Sequence, residues 1–160
     1  MASVGDSVPD VRVMINAADG PQPTGSGELL RSGKILLIGV PGAFTPVCTD
    51  HHLPGLVSAA GRLAAKGIEK IVVVSVNDAF VMNAWAASQD ANEGFLMMAD
   101  PDAEFTRAMG LAADASEFGL GVRSERYAAV VEDGVIRSLD VEAHFTENTV
   151  SSAEAIESRL

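Results

Sequence analysis

Two apolar runs constrain this chain more than anything else in it: Lys34 to Val40 (KILLIGV) and Lys70 to Val76 (KIVVVSV). Neither alternates polar with apolar residues, so neither can sit on a sheet with one face in water. Strands of this kind are covered on both faces, which is the habit of parallel strands in α/β domains. The segments around them alternate in the same sense. Val8 to Ile15 reads as an early strand, ended by the turn-rich stretch Asn16 to Pro23. An Ala- and Leu-rich helix is expected from Leu56 to Lys66, stopped by Gly67, with Pro54-Gly55 interrupting whatever precedes it. A helix over Ala79–Gln89, a strand over Phe95–Ala99 and a short helix over Asp102–Met109 follow. Tyr127–Val131 and Val135–Leu139 flank Asp133-Gly134, a hairpin signal. Ser151-x-x-Glu154 has capping-box spacing and should open a last helix that runs to Leu160. The expectation is one α/β domain over residues 1–160, with a mixed central sheet flanked by helices.

Composition narrows the function. Hydrophobic residues make up 48% of the 160, which excludes a disordered chain. No apolar run reaches the roughly 18 residues that span a bilayer, and Met1–Val13 does not read as a signal peptide. A formal charge of −11 disfavours nucleic acids and anionic membranes as partners. The single cysteine, Cys48, forbids an internal disulfide and suits a reducing, cytoplasmic setting.

In α/β sheets, ligands bind beyond the carboxyl ends of the strands. The segment after Lys34–Val40 is Pro41-Gly42-Ala43-Phe44-Thr45-Pro46-Val47-Cys48. Thr45 suits an N-cap and Pro46 a first helical position, which places Cys48 in the first turn of a helix. Free backbone N–H groups and the helix dipole favour a thiolate there, and the thiolate is the nucleophilic form. The Thr45 hydroxyl can turn toward the sulfur or toward a bound oxygen.

Pro41-x-x-x-Thr45-x-x-Cys48 resembles the active-site motif of peroxiredoxins, and the longer run PGAFTPVC followed by His52-Leu-Pro-Gly resembles the peroxiredoxin-5 subfamily. Matching segments continue in order through Ser75–Trp85, Ala99–Leu111 and Arg123–Gly134, so the resemblance covers nearly the whole chain. It implies a thioredoxin-like fold, no cofactor, and a thiol-dependent peroxidase acting on hydrogen peroxide and alkyl hydroperoxides. Cys48 falls on the peroxidatic cysteine. Pro41, Thr45 and Arg126 take the other catalytic places, with Thr45, Arg126, Gly42 and His52 around the substrate. Arg123 is the alternative arginine. The family also implies a homodimer, with Phe44 near its contact.

Many members of the subfamily carry a resolving cysteine in a segment resembling Thr149-Val150-Ser151, where this chain has Val150. The sulfenic acid formed on Cys48 must then be reduced by an external thiol: glutathione, glutaredoxin or thioredoxin. Other readings of the same residues are a peroxide sensor that relays oxidation to a partner, and a cysteine hydrolase pairing Cys48 with His51 or His52. A metal held by Cys48, His51 and His52 at i, i+3 and i+4 is the less favoured reading of that spacing. Trp85 is expected to pack its helix onto the sheet.

Overall fold

The computed structural model describes residues 1–160. Its centre is a seven-stranded mixed sheet in the order β2-β1-β5-β4-β3-β8-β9. The strands are β1 (Arg12–Ala17), β2 (Gly20–Gly25), β3 (Lys34–Gly39), β4 (Lys70–Ser75), β5 (Phe95–Ala99), β8 (Tyr127–Glu132) and β9 (Val135–Val141). The three central strands β5, β4 and β3 run parallel to one another. The outer pairs β1–β2, β1–β5, β3–β8 and β8–β9 are antiparallel. This is the expected mixed α/β sheet.

The apolar runs divide their side chains between two cores. Leu36 and Ile38 of β3 and Ile71 and Val73 of β4 pack with Leu56, Leu63, Met82, Trp85 and Ile156. Those partners come from α2 (Leu53–Ala65), α3 (Ala79–Ser88) and α5 (Ala153–Arg159). The alternate residues Ile35, Leu37, Val72 and Val74 face the other way, toward Leu30, Phe105, Met109, Tyr127 and Ile136. Phe105 lies on α4 (Glu104–Ala108), and Leu30 directly follows α1 (Ser26–Leu29). Two-sided burial is why β3 and β4 carry no alternation.

Four details differ from the sequence reading. The turn expected over Asn16–Pro23 instead supplies most of β2 (Gly20–Gly25) at the edge of the sheet, where Pro21 and Pro23 are tolerated because an edge strand leaves one row of N–H positions unpaired. Pro54-Gly55 does not break the helix, since α2 runs straight through it. The irregularity lies one turn earlier, in a π turn at Cys48–His52 where the Leu53 N–H donates to the Cys48 carbonyl. A helix that contains a proline must give up one backbone bond, and a wider turn absorbs that loss. The last helix is capped by Ser152, whose hydroxyl accepts from Ala155 N–H, and not by Ser151. A small hairpin, β6 (Ala112–Asp114) with β7 (Val122–Ser124), stands apart from the main sheet. Asp133 and Gly134 both have positive φ, 50° and 80°, as the tight β8–β9 turn requires.

Candidate active site

The segment after β3 leaves the sheet through Gly39, where a Cβ would stand 2.1 Å from the Tyr127 ring. The chain then folds back at Phe44, which adopts φ 62°. Asn77, just beyond β4, holds this turn: its Oδ1 accepts from Ala43 N–H at 3.0 Å and from the Ser75 hydroxyl at 2.6 Å. Helical structure starts at Pro46, and the Thr45 carbonyl accepts from Thr49 N–H. Trp85, fully buried on α3, donates its indole N–H to the Thr49 hydroxyl at 3.1 Å. So the parallel strands β3 and β4 and helix α3 together fix the turn that carries Cys48.

Cys48 is completely buried, and its sulfur accepts a hydrogen bond from Arg126 Nη2 at 3.1 Å. Arg126 precedes β8 and is 2% exposed. Its other bonds go from Nε to the Phe145 carbonyl at 2.9 Å and from Nη1 to His52 Nδ1 at 2.8 Å. No carboxylate reaches it; the chain's two ion pairs, Arg62–Glu157 and Arg159–Asp140, lie elsewhere. The sequence reading placed Arg126 at the sulfur and Arg123 as its alternative. Arg123 instead donates to the Leu120 and Val76 carbonyls, tying the β6–β7 hairpin to the loop after β4.

A cavity of about 330 Å³ opens beside these groups, lined by Pro41, Thr45, Val47, Phe118, Arg126 and Phe145 among others. Thr45 donates its hydroxyl to the Gly42 carbonyl at 2.6 Å, leaving its oxygen lone pairs free to accept. A Cβ on Gly42 would lie 3.0 Å from Thr45 Cγ2 and 3.3 Å from Arg123 Nη1, so this position keeps the turn tight rather than lining the cavity.

His52, expected at the substrate, stands behind Arg126. It is 1% exposed, and its Nε2 donates to the Ser151 carbonyl at 2.9 Å. The guanidinium can only donate, so Nδ1 is the acceptor and the neutral ring carries its proton on Nε2. Both nitrogens are thus engaged away from the sulfur, which removes the Cys–His hydrolase pair and the metal reading for this histidine. Burial, then the Arg126 charge, push the His52 pKa down from 6.5 to about 4.

Glu142, just after β9, escaped the sequence reading. It is 3% exposed and accepts hydrogen bonds from Thr149, Val150 and Ser151. Burial works against its ionisation, but the bonds from Ser151 and Thr149 prevail and hold its pKa down at about 2. No local motif marks it, because its donors lie seven to nine residues further along a stretch without helix or strand.

Residues 3–156 match the Redoxin family. A curated relative from rice, "Peroxiredoxin-2E-2, chloroplastic", is 44% identical over 159 residues, covering 96% of this chain and 71% of its own. "Peroxiredoxin-2B" of Arabidopsis thaliana is 41% identical over 155 residues, 96% of this chain and 95% of its own. The chain belongs to the Redoxin family and is a peroxiredoxin.

Among solved structures, a reduced Prx3 from Vibrio vulnificus in complex with H2O2 superposes on this peroxiredoxin with a TM-score of 0.93 at 44% identity, each chain covered to 99%. A peroxiredoxin 5 from Alvinella pompejana reaches a TM-score of 0.84 at 33% identity, with 98% of this chain and 96% of that one covered. The fold is therefore thioredoxin-like, and the enzyme is a thiol-dependent peroxidase with a single cysteine.

The peroxiredoxin's acid response follows from the two buried groups. Between pH 6.5 and about 4 the unfolded chain binds a proton at His52 that the folded protein does not, so stability falls as pH drops through that window. Urea unfolding of wild type should lose about 2–4 kcal/mol across it on account of His52. His52→Asn should remove that limb and leave the Glu142 limb, which extends from pH 4.5 down to about 2. A variant with the wild-type slope between pH 6.5 and 4 would refute the assignment.

Proposed function

We propose that Cys48 is the peroxidatic nucleophile and that Arg126 stabilises both its thiolate and the transition state. The observation that carries this is the guanidinium itself, with Arg126 only 2% exposed, without a carboxylate, and 3.1 Å from the sulfur. A buried cation needs an anion nearby. The Cys48 thiolate is the group positioned to supply one. The sulfur attacks one peroxide oxygen; an S–O bond forms as the O–O bond breaks. The departing oxygen takes a proton and leaves as water or alcohol, and Cys48 becomes a sulfenic acid. Arg126 donors face the negative charge as it spreads to the leaving oxygen, a preorganised stabilisation that needs no solvent rearrangement.

Thr45, its proton committed to the Gly42 carbonyl, accepts the peroxide O–H and so orients the substrate. Pro41 walls the cavity against water. Hydrogen peroxide is the proposed substrate, in keeping with the Vibrio vulnificus complex. Alkyl hydroperoxides are proposed beside it, because Val47, Phe118, Leu120 and Phe145 offer apolar cover for a hydrocarbon tail. With Val150 in place of a second cysteine, the reductant is an external thiol: glutathione, glutaredoxin or thioredoxin. That supply suits a reducing compartment, and the cytoplasm is the proposed location. We also propose a homodimer, supported by Phe44, which is 54% exposed on the active-site turn.

Pre-reduced protein mixed with one equivalent of hydrogen peroxide should gain one oxygen on Cys48 within seconds, by mass spectrometry with a sulfenic-acid trap, and lose it on adding thiol. Cys48→Ser should abolish the reaction, and Arg126→Ala should slow it by about 10²-fold or more. An unchanged rate in Arg126→Ala would sink the role given to that residue. Excess peroxide with scarce thiol should drive Cys48 to sulfinic acid and stop turnover; sustained turnover under those conditions would contradict the one-cysteine cycle. Light scattering should return twice the 16.6 kDa chain mass, and Phe44→Asp should shift it toward the monomer. A wild-type monomer at every concentration would exclude the dimer.

A further inference from the structure

The reaction leaves two buried carboxylates unused: Asp100, which accepts from Phe105 and Thr106 at the start of α4, and Glu142, which lies beside the site. Glu142 Oε2 accepts from Thr149 N–H at 2.8 Å, Ser151 N–H at 2.8 Å and the Ser151 hydroxyl. Its Oε1 accepts from the Thr149 hydroxyl at 2.7 Å and from Val150 N–H at 3.4 Å. Every group facing this carboxylate is a donor. Residues 142–152 contain no helix or strand, so ordinary backbone ladders do not hold them. The carboxylate does that work instead, and its own N–H donates to the Arg126 carbonyl at 2.9 Å.

These bonds close a ring. Arg126 main chain meets Glu142, Glu142 holds Ser151, the Ser151 carbonyl receives His52 Nε2, and His52 Nδ1 receives the Arg126 guanidinium. A neutral imidazole has one donor and one acceptor nitrogen. If the Ser151 carbonyl moved away, the Nε2 proton would lose its acceptor. The alternative tautomer would then set an N–H against the guanidinium, which cannot accept it. We infer that Glu142 is a positioning residue for peroxide reduction: by clamping Thr149–Ser151 it fixes the His52 tautomer that aims Arg126 at the Cys48 sulfur. This rests on the roles proposed for Cys48 and Arg126.

A glutamine at this position keeps a carbonyl oxygen where three donors converge; its NH₂ would face the Thr149 hydroxyl, which can reverse, and would lose only the long 3.4 Å bond from Val150 N–H. Alanine keeps nothing. Hydrogen-bond positioning therefore predicts a split between the two variants. In rapid-quench assays with hydrogen peroxide, Glu142→Ala should oxidise Cys48 about tenfold more slowly or worse, the scale of a displaced catalytic group. Glu142→Gln should stay within about threefold of wild type, the worth of one weakened hydrogen bond. Imidazole ¹⁵N NMR supplies a readout that general destabilisation would not move. His52, assigned by its absence in His52→Asn, should show the Nε2–H tautomer in wild type and Glu142→Gln, and a mixture in Glu142→Ala.

A folded Glu142→Ala protein with the wild-type rate and tautomer would overturn the clamp, and so would an Nδ1–H tautomer in wild type. If the alanine variant does not fold, the double variant Thr149→Val with Ser151→Ala removes both hydroxyl bonds; it should react about threefold slower, and wild-type behaviour there overturns the proposal. Arg126→Ala is measured alongside. A wild-type rate in that protein would condemn the underlying reading, whereas a slow Arg126→Ala beside an unaffected Glu142→Ala would condemn the clamp alone.

Discussion

The structure depends on keeping a guanidinium out of water without giving it a carboxylate. Arg126 is always charged, and at 2% exposure each of its three nitrogens finds a partner inside the fold. The three partners come from two places: the Phe145 main-chain carbonyl, and the turn before α2, which supplies both the His52 imidazole and the Cys48 sulfur. Neutral acceptors satisfy the N–H groups but not the charge. That leaves the sulfur as the partner the charge faces, which is the geometry behind the role proposed for Cys48.

Much of the remaining architecture serves to hold those acceptors still. The two-sided core around β3 and β4 delivers the active-site turn from a rigid strand end, and Asn77 and Trp85 pin the turn from β4 and α3. The π turn at Cys48–His52 faces sulfur and imidazole toward one arginine, although they are four residues apart. On the far side, Glu142 replaces missing secondary structure with a single multiply bonded carboxylate. The low pKa values of the two groups, His52 and Glu142, have opposite relations to burial: burial and the Arg126 charge lower that of His52, whereas at Glu142 burial is outweighed by the hydrogen bonds from Ser151 and Thr149.

The sequence displayed its periodicities plainly, and the elements built on them lie within a few residues of expectation: β3, β4, β5, α3 and the β8–β9 hairpin. Where local rules misled, a tertiary circumstance intervened. Pro21 and Pro23 signalled a turn, but an edge position accommodates them in a strand. Pro54 signalled a break, but the preceding turn widened instead. Ser151 had capping-box spacing, yet it was recruited by Glu142, and its neighbour Ser152 caps the helix. Pro41, Thr45, Cys48 and Arg126 were legible because a motif and a collinear resemblance carried them. Gly42 and His52 were expected beside the substrate by the same route, but the structure puts one in the turn and the other behind Arg126.

By itself, then, the sequence determined the class of fold, the single cysteine proposed as nucleophile and the absence of a second one, because these rest on local pattern and residue chemistry. Tertiary structure alone decided what holds Arg126 against the sulfur, which nitrogen of His52 carries the proton, and that Glu142 adjoins the site. Those are contacts between residues 74 and 78 positions apart, or between a carboxylate and a loop that no periodicity describes. Their strength comes from burial, and burial exists only once the sheet and its helices have closed around them.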